Sequence, residues 1–215
     1  MTILVGGFAI GACLAALLPG TAVFASSYHY QSSALPKLRA LSQRSTVYDS
    51  AGTKIGELGT KDRRDVTLDQ VPKIIQNAVI AVEDKTFWSN DGIDLNSVFR
   101  AALKDFSSGQ IVQGGSTITQ QLVKERILNA KRAVHRKVKE IVLALRLTQK
   151  YSKRQVLQQY LNTVYFGQGS YGIKAAAERL FVHPDPSAPF GVAPTKLNQV
   201  TVGEAALLAG LINNP

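Results

Sequence analysis

Residues 114–124 read Gly-Gly-Ser-Thr-Ile-Thr-Gln-Gln-Leu-Val-Lys, a set of types suited to holding an anion. Glycine lets the backbone turn tightly or approach a ligand closely. Ser116 and Thr117 are helix N-cap types, and Ile118, Leu122 and Val123 follow at helical spacing. Free N–H groups at a helix start attract negative charge, and Lys124, two turns in, adds a cation. An ordinary well-capped helix would use the same residues, so this stretch alone fits either reading. Glu83 and Asp84 form a second candidate, followed by Phe87 and Trp88. They end an apolar stripe, where the helix dipole favours cations over carboxylates. A solvated acidic helix end would account for the pair, but a local conflict of this kind also marks functional positions. In the third stretch Arg136 and Lys137 precede Glu140 by four and three residues, so all three share one helical face. That is either a surface ion-pair cluster worth little to stability or a carboxylate held among phosphate-binding cations.

Helices must aim these side chains, and the apolar spacing predicts them. Pro72 suits a first turn, and Ile74, Ile75, Ala78, Val79 and Val82 make the stripe that ends at Glu83. Asp94 can cap the next helix, with Leu95, Val98, Phe99, Ala102, Leu103 and Phe106 as its apolar side. Residues 107–113 are polar and contain glycine, as a mobile loop would. Val134, Val138, Ile141, Val142 and Leu145 predict the helix carrying Glu140. Ser152 and Gln155 form a capping box ahead of Val156, Leu157, Tyr160 and Leu161. After a glycine- and aromatic-rich loop at 162–172, Ile173, Ala176, Ala177 and Leu180 mark another helix. Four prolines in residues 183–197 predict an irregular excursion. Thr201 and Glu204 then cap a last apolar helix reaching about Ile212. Upstream of Pro72, residues 46–48 and 54–58 around Asp49-Ser50-Ala51-Gly52 predict a β-hairpin, with a further short strand near residues 64–68.

The chain has 215 residues and a formal net charge of +10, from 25 Lys and Arg against 15 Asp and Glu. Such a balance calls for acidic partners: nucleic acid, anionic lipid or a phosphorylated substrate. A single cysteine, Cys13, excludes an intrachain disulfide, and His29, His135 and His183 lack metal-ligand spacing. Residues 3–25 carry no charged side chain and are long enough to span a bilayer. Val23-Phe24-Ala25 has the small residues of a signal cleavage site, but the run exceeds a signal core of about 7–15 residues, so an uncleaved anchor is expected. Lys37, Arg39 and Arg44 follow the run and no Lys or Arg precedes it. Read literally, the positive-inside rule would put the main domain in the cytoplasm.

Glu83-Asp84 with Phe87 and Gly92, the 114–124 stretch, Arg136-Lys137 with Glu140, and Tyr160 to Gly172 occur in this order. The set resembles glycosyltransferase family 51, the peptidoglycan glycosyltransferase of class A penicillin-binding proteins and monofunctional cell-wall polymerases. The resemblance covers about residues 46–215. It implies a mainly α, lysozyme-like two-lobed helical domain with a short N-terminal β-hairpin, preceded by a single transmembrane helix. The corresponding division is an anchor at 1–25, a juxtamembrane stalk at 26–45 and the glycosyltransferase domain at 46–215. The implied enzyme lies in the cell membrane as a single-pass protein, its catalytic domain on the extracytoplasmic side. There it would polymerise lipid II with inversion, joining the growing lipid-linked glycan to the 4-hydroxyl of an incoming lipid II sugar.

By the same resemblance Glu83 is the general base and Glu140 the second catalytic carboxylate. Lys124, Arg136 and Lys137 would hold the leaving pyrophosphate, with Ser116, Thr117 and Gln121 on the donor side and Asp84 and Phe87 in the substrate-binding set. No tightly bound cofactor and no metal-ligand residue is implied, although a divalent cation, Mg or Mn, aids some members. Other cell-wall synthesis proteins are the implied partners, and nucleic acid is not. The family usually has histidine where Asn90 stands and glutamate where Thr148 stands, and a shorter connection at 183–197. A chain of this extent is expected to be either monofunctional or a piece of a bifunctional protein. A lysozyme-like hydrolase is the first alternative, but it needs an acid and an activated water rather than a pyrophosphate cradle. A non-catalytic membrane scaffold is the second, and the presence of both Glu83 and Glu140 argues against it.

Overall fold

The computed structural model describes residues 38, 41–59, 61–94, 115–128, 134–188, 192–213 and 215, and the backbone alone at 57, 134–136 and 138. The expected membrane anchor at 3–25, the helix stripe at 95–106 and the loop at 107–113 lie outside the described residues, as does most of the stalk. Among the described residues no helix is long and apolar enough to cross a membrane.

Mainly helical structure follows from the apolar stripes, and six α-helices form among the described residues: α1 (Lys73–Glu83), α2 (Ile118–Arg126), α3 (Val134–Lys150), α4 (Lys153–Thr163), α5 (Ile173–Leu180) and α6 (Val202–Leu211). Three small strand pairs accompany them. The expected hairpin is β1 (Ser45–Tyr48) antiparallel to β2 (Lys54–Leu58), its turn closed by Asp49 Oδ1, which accepts from the Ala51 and Thr53 amides. β3 (Asp62–Arg63) pairs parallel with β4 (Ser170–Tyr171). β5 (Val182–Pro184) pairs antiparallel with β6 (Val192–Pro194).

The strand expected near residues 64–68 is instead β3, just upstream, followed by a 3-10 turn at Leu68–Gln70. Asn162 explains the shift. Its side chain accepts from the Val66 amide and donates to the Val66 carbonyl, so the groups a strand partner would take are already satisfied. The proline-rich excursion is likewise more regular than expected, because Pro184 and Pro194 sit at strand ends in a two-stranded pair. There a missing N–H disrupts no central ladder.

The core gathers Ile75 and Val79 of α1, Ile118, Leu122 and Val123 of α2, Leu143, Ala144 and Leu147 of α3, and Leu157, Tyr160 and Leu161 of α4. α2 packs between α3 and α4, while α1 packs against α6 through Ala205, Leu208 and Ala209. Two stripes are turned from their expected orientation. In α1, Gln76 and Ile80 are buried with Ile75 and Val79, and Val82 is 52% exposed. Gln76 earns its buried place by donating to the Leu68 and Val71 carbonyls, which fastens the preceding turn. In α3 the buried positions are Glu140, Leu143, Ala144 and Leu147, while Ile141, Val142 and Leu145 are half-buried. Glu140 therefore lies on the inner face of its helix.

Candidate active site

α1 ends at Glu83, and α1 packs against α6, which leaves the Glu83 carboxylate half-buried. Gln121 Nε2 on α2 donates to Glu83 Oε2 at 2.7 Å, and Asn213 Nδ2, just beyond α6, donates to Oε1 at 2.8 Å. Gln121 is itself oriented by Tyr160 of α4, whose hydroxyl donates to Gln121 Oε1 at 2.9 Å. Tyr160 is fully buried. Burial, with the charges of Glu83, Glu125 and Asp84, raises its phenol well above the ordinary value and keeps it a proton donor. For Glu83 burial is the largest influence and raises the carboxyl above its ordinary value. The Gln121 bond, the Lys124 charge and the Asn213 bond pull it back in part. The result is a partly desolvated carboxylate held in place by neutral donors, an arrangement suited to general-base work.

The conflict between Asp84 and the α1 dipole disappears in three dimensions. Asp84 follows the C-terminus of α1, but its carboxylate serves the N-terminus of α2, accepting from the Ile118 amide at 3.1 Å. It also accepts from Asn90 Nδ2 at 2.9 and 3.1 Å and from Thr86 Oγ1 at 3.2 Å. An anion belongs at a helix N-terminus, so one buried side chain ties the helix bearing Glu83 to the helix bearing Gln121. Thr117 supplies the N-cap of α2, accepting from the Gln120 amide and donating to the Gly92 carbonyl at 2.6 Å. Gly92 has φ +97, and a Cβ there would meet the Ala144 carbonyl oxygen at 2.8 Å, so the turn closes on α3 only with glycine. Asn90 and Thr148 meet this same turn. Asn90 Oδ1 accepts from the Gly92 amide and from Lys153, and the Thr148 hydroxyl lies 2.8 Å from the Asp91 carbonyl.

A second charged group forms at the start of α2. Lys137 Nζ lies 2.6 Å from Glu140 Oε1 and donates to Ser116 Oγ at 2.8 Å. Glu140 is 3% exposed, and Lys137 bridges it to the outside. Lys124 is half-exposed beside Glu125 at 3.3 Å, and its positive charge acts on Glu83. α2 therefore meets Glu83 through Gln121 and Lys124, and the residue just before its cap meets the Lys137–Glu140 pair. The side chain of Arg136 lies outside the described residues. Phe87 is fully buried, with Trp88 against its edge and Lys153 Nζ 4.8 Å from its ring centre. It supports the turn from within the core.

Asn213 is the site residue that the sequence pattern missed. It stands 130 residues from Glu83 in a polar tail after an apolar helix, with no motif around it. Among the described residues no group of three His, Cys, Asp or Glu gathers in a way that could hold a metal ion. A cavity of about 370 Å³ between Leu38, Arg126, Tyr151 and Gln158 contains none of Glu83, Glu140 or Lys137.

Comparisons with known proteins identify the family. A family model described as Transglycosylase matches residues 51–215. The chain is 39% identical over 173 residues to "Penicillin-binding protein 1A" of Aquifex aeolicus, covering 80% of this chain and 22% of that protein. It is 40% identical over 171 residues to "Penicillin-binding protein 1A/1B" of Bacillus subtilis, covering 80% and 18%. It is 39% identical over 169 residues to "Penicillin-binding protein 1A" of Escherichia coli, covering 79% and 18%. The chain thus spans about a fifth of the length of these relatives. With a family model matched over most of its length and this site at the meeting of α1, α2 and α6, the chain belongs to the transglycosylase family.

Proposed function

We propose that this chain is a peptidoglycan glycosyltransferase that polymerises lipid II into glycan strands with inversion. The observation that carries the reading is the Glu83 carboxylate, partly desolvated and held by Gln121 and Asn213 beside the Lys124 charge. Glu83 takes the proton of the acceptor sugar's 4-hydroxyl. As that oxygen bonds to the anomeric carbon of the growing glycan, the bond to the lipid pyrophosphate breaks and the pyrophosphate leaves with the electron pair. Lys124, Lys137 and Arg136 neutralise the leaving charge, and Ser116, Thr117 and Gln121 line the donor side. Such preorganised charge is worth most where negative charge develops. Glu140 holds Lys137 in place and is the second essential carboxylate. Asp84 and Phe87 serve substrate binding by fixing the turn that follows α1.

The reading includes the family's lysozyme-like two-lobed architecture and a single-pass anchor at residues 3–25, with the domain outside the cytoplasmic membrane where lipid II presents its sugar. Other cell-wall synthesis proteins are its proposed partners. No tightly bound cofactor enters the scheme. A divalent cation, Mg or Mn, would assist at the substrate's pyrophosphate. Purified protein fed with lipid II should give glycan polymer on a gel, whereas shortening of preformed strands without polymer would favour a hydrolase.

A further inference from the structure

Glu83 is gripped from two sides, and the grips differ. Gln121 sits in a half-buried network, with its Oε1 fixed by the Tyr160 hydroxyl at 2.9 Å and its Nε2 given to Glu83 Oε2 at 2.7 Å. Turning that amide over would break both bonds. Asn213 reaches Oε1 from an exposed position two residues past Leu211, the end of α6. Its backbone is nonetheless well placed. α6 is packed on α1, and Pro215 lies against Gly167, where a Cβ would meet the Pro215 carbonyl carbon at 3.1 Å. α6 and Pro215 are thus both seated on the rest of the domain, while the Asn213 side chain remains at the surface.

We propose that Asn213 is a positioning residue for Glu83, a clip that holds Oε1 toward the cleft and yields that oxygen to the acceptor hydroxyl. The inference rests on the reading of Glu83 as the base. An ionised carboxylate oxygen only accepts, at about two lone-pair sites, and the Asn213 amide takes the exposed side of Oε1 by which the sugar would arrive. The Asn213 N–H occupies the place that the incoming O–H takes, and the carboxylate is never left without a donor while partly buried. Once displaced, the carboxamide offers a donor and an acceptor to the sugar's remaining hydroxyls. Gln121 stays behind on Oε2 and keeps the carboxylate plane in register.

The charged and titratable groups facing Glu83 come from three elements. Asp84 adjoins it at the end of α1, Lys124 faces it from α2, and Tyr160 faces it from α4, with Glu125 also near Tyr160. On α6 the charged side chain is Glu204, at the opposite end of the helix and paired with His183 at 2.9 Å. Asn213 is therefore a neutral contribution from that side, and its loss removes one of the influences that keep Glu83 ionised.

The test is the pH–rate profile of lipid II polymerisation by the full chain in detergent, for wild type, Asn213→Ala, Asn213→Asp and Glu83→Gln, with thermal melting of each. Asn213 is exposed, so its variants should melt like wild type. The acid limb should move to higher pH in Asn213→Ala and further in Asn213→Asp, where a second carboxylate faces Glu83. The Michaelis constant for the acceptor should rise in both. A limb unmoved in both variants, with Glu83→Gln inactive, would overturn the clip and leave the base reading intact. An active Glu83→Gln would overturn the base reading itself.

Discussion

At Glu83 two requirements pull against each other. A base must be ionised when the acceptor arrives, yet burial works against ionisation, and the raised value says that burial prevails over the donors and Lys124. The acid limb of the pH–rate profile should therefore lie above the range of an ordinary glutamate. Lys124→Ala should push it higher still and slow turnover about 10²–10³-fold, the usual cost of losing one charge-stabilising group. The same raised value carries a stability consequence. What Glu83 contributes to folding is fully present below its unfolded value and is lost as pH rises through its folded one. Glu83→Gln should accordingly melt no lower than wild type at neutral pH. Asp84 has a structural part instead, because its carboxylate satisfies the Ile118 amide and Asn90. Asp84→Ala leaves buried donors unpaired and should cost about 1–3 kcal/mol, read from melting or denaturant midpoints.

Elements rather than residues bring the two carboxylates into relation, and α2 is the connecting one. Its cap Thr117 bonds both its own first turn and the Gly92 carbonyl. Thr117→Ala should cost about 1 kcal/mol as a lost cap and should depress activity more than stability, because Ser116 and Gln121 shift with it. Gly92→Ala should be more damaging, since φ +97 and the Ala144 oxygen 2.8 Å from the new Cβ oppose it together. Sequence pattern had made the start of α2 legible, because Ser116, Thr117 and the apolar spacing after them are local signals. The starts of α4 and α6 were legible for the same reason, each opening on a capping box. The face of α3 was not, because apolar residues occur on more than one side of it. Tertiary packing chose Leu143, Ala144 and Leu147, and Glu140 with them. Long-range polar bonds were equally silent. Asn162 satisfies Val66 across 96 positions and Asn213 meets Glu83 across 130, and neither pairing leaves a local trace.

For the whole molecule, the formal charge of +10 and the apolar run at 3–25 fit an enzyme working on an anionic, lipid-borne substrate. Removing residues 1–25 should lower activity on sparse lipid II in vesicles much more than in detergent, where substrate and enzyme share micelles. Equal losses in both would separate the run from substrate access. The central claim, that this domain polymerises lipid II with Glu83 as its base, turns on one variant. Glu83→Gln retains the shape of the side chain and cannot accept the proton. Incubated with lipid II, it should bind substrate with wild-type affinity, melt no lower than wild type and yield no glycan polymer on a gel. Polymer formed at the wild-type rate would contradict the account.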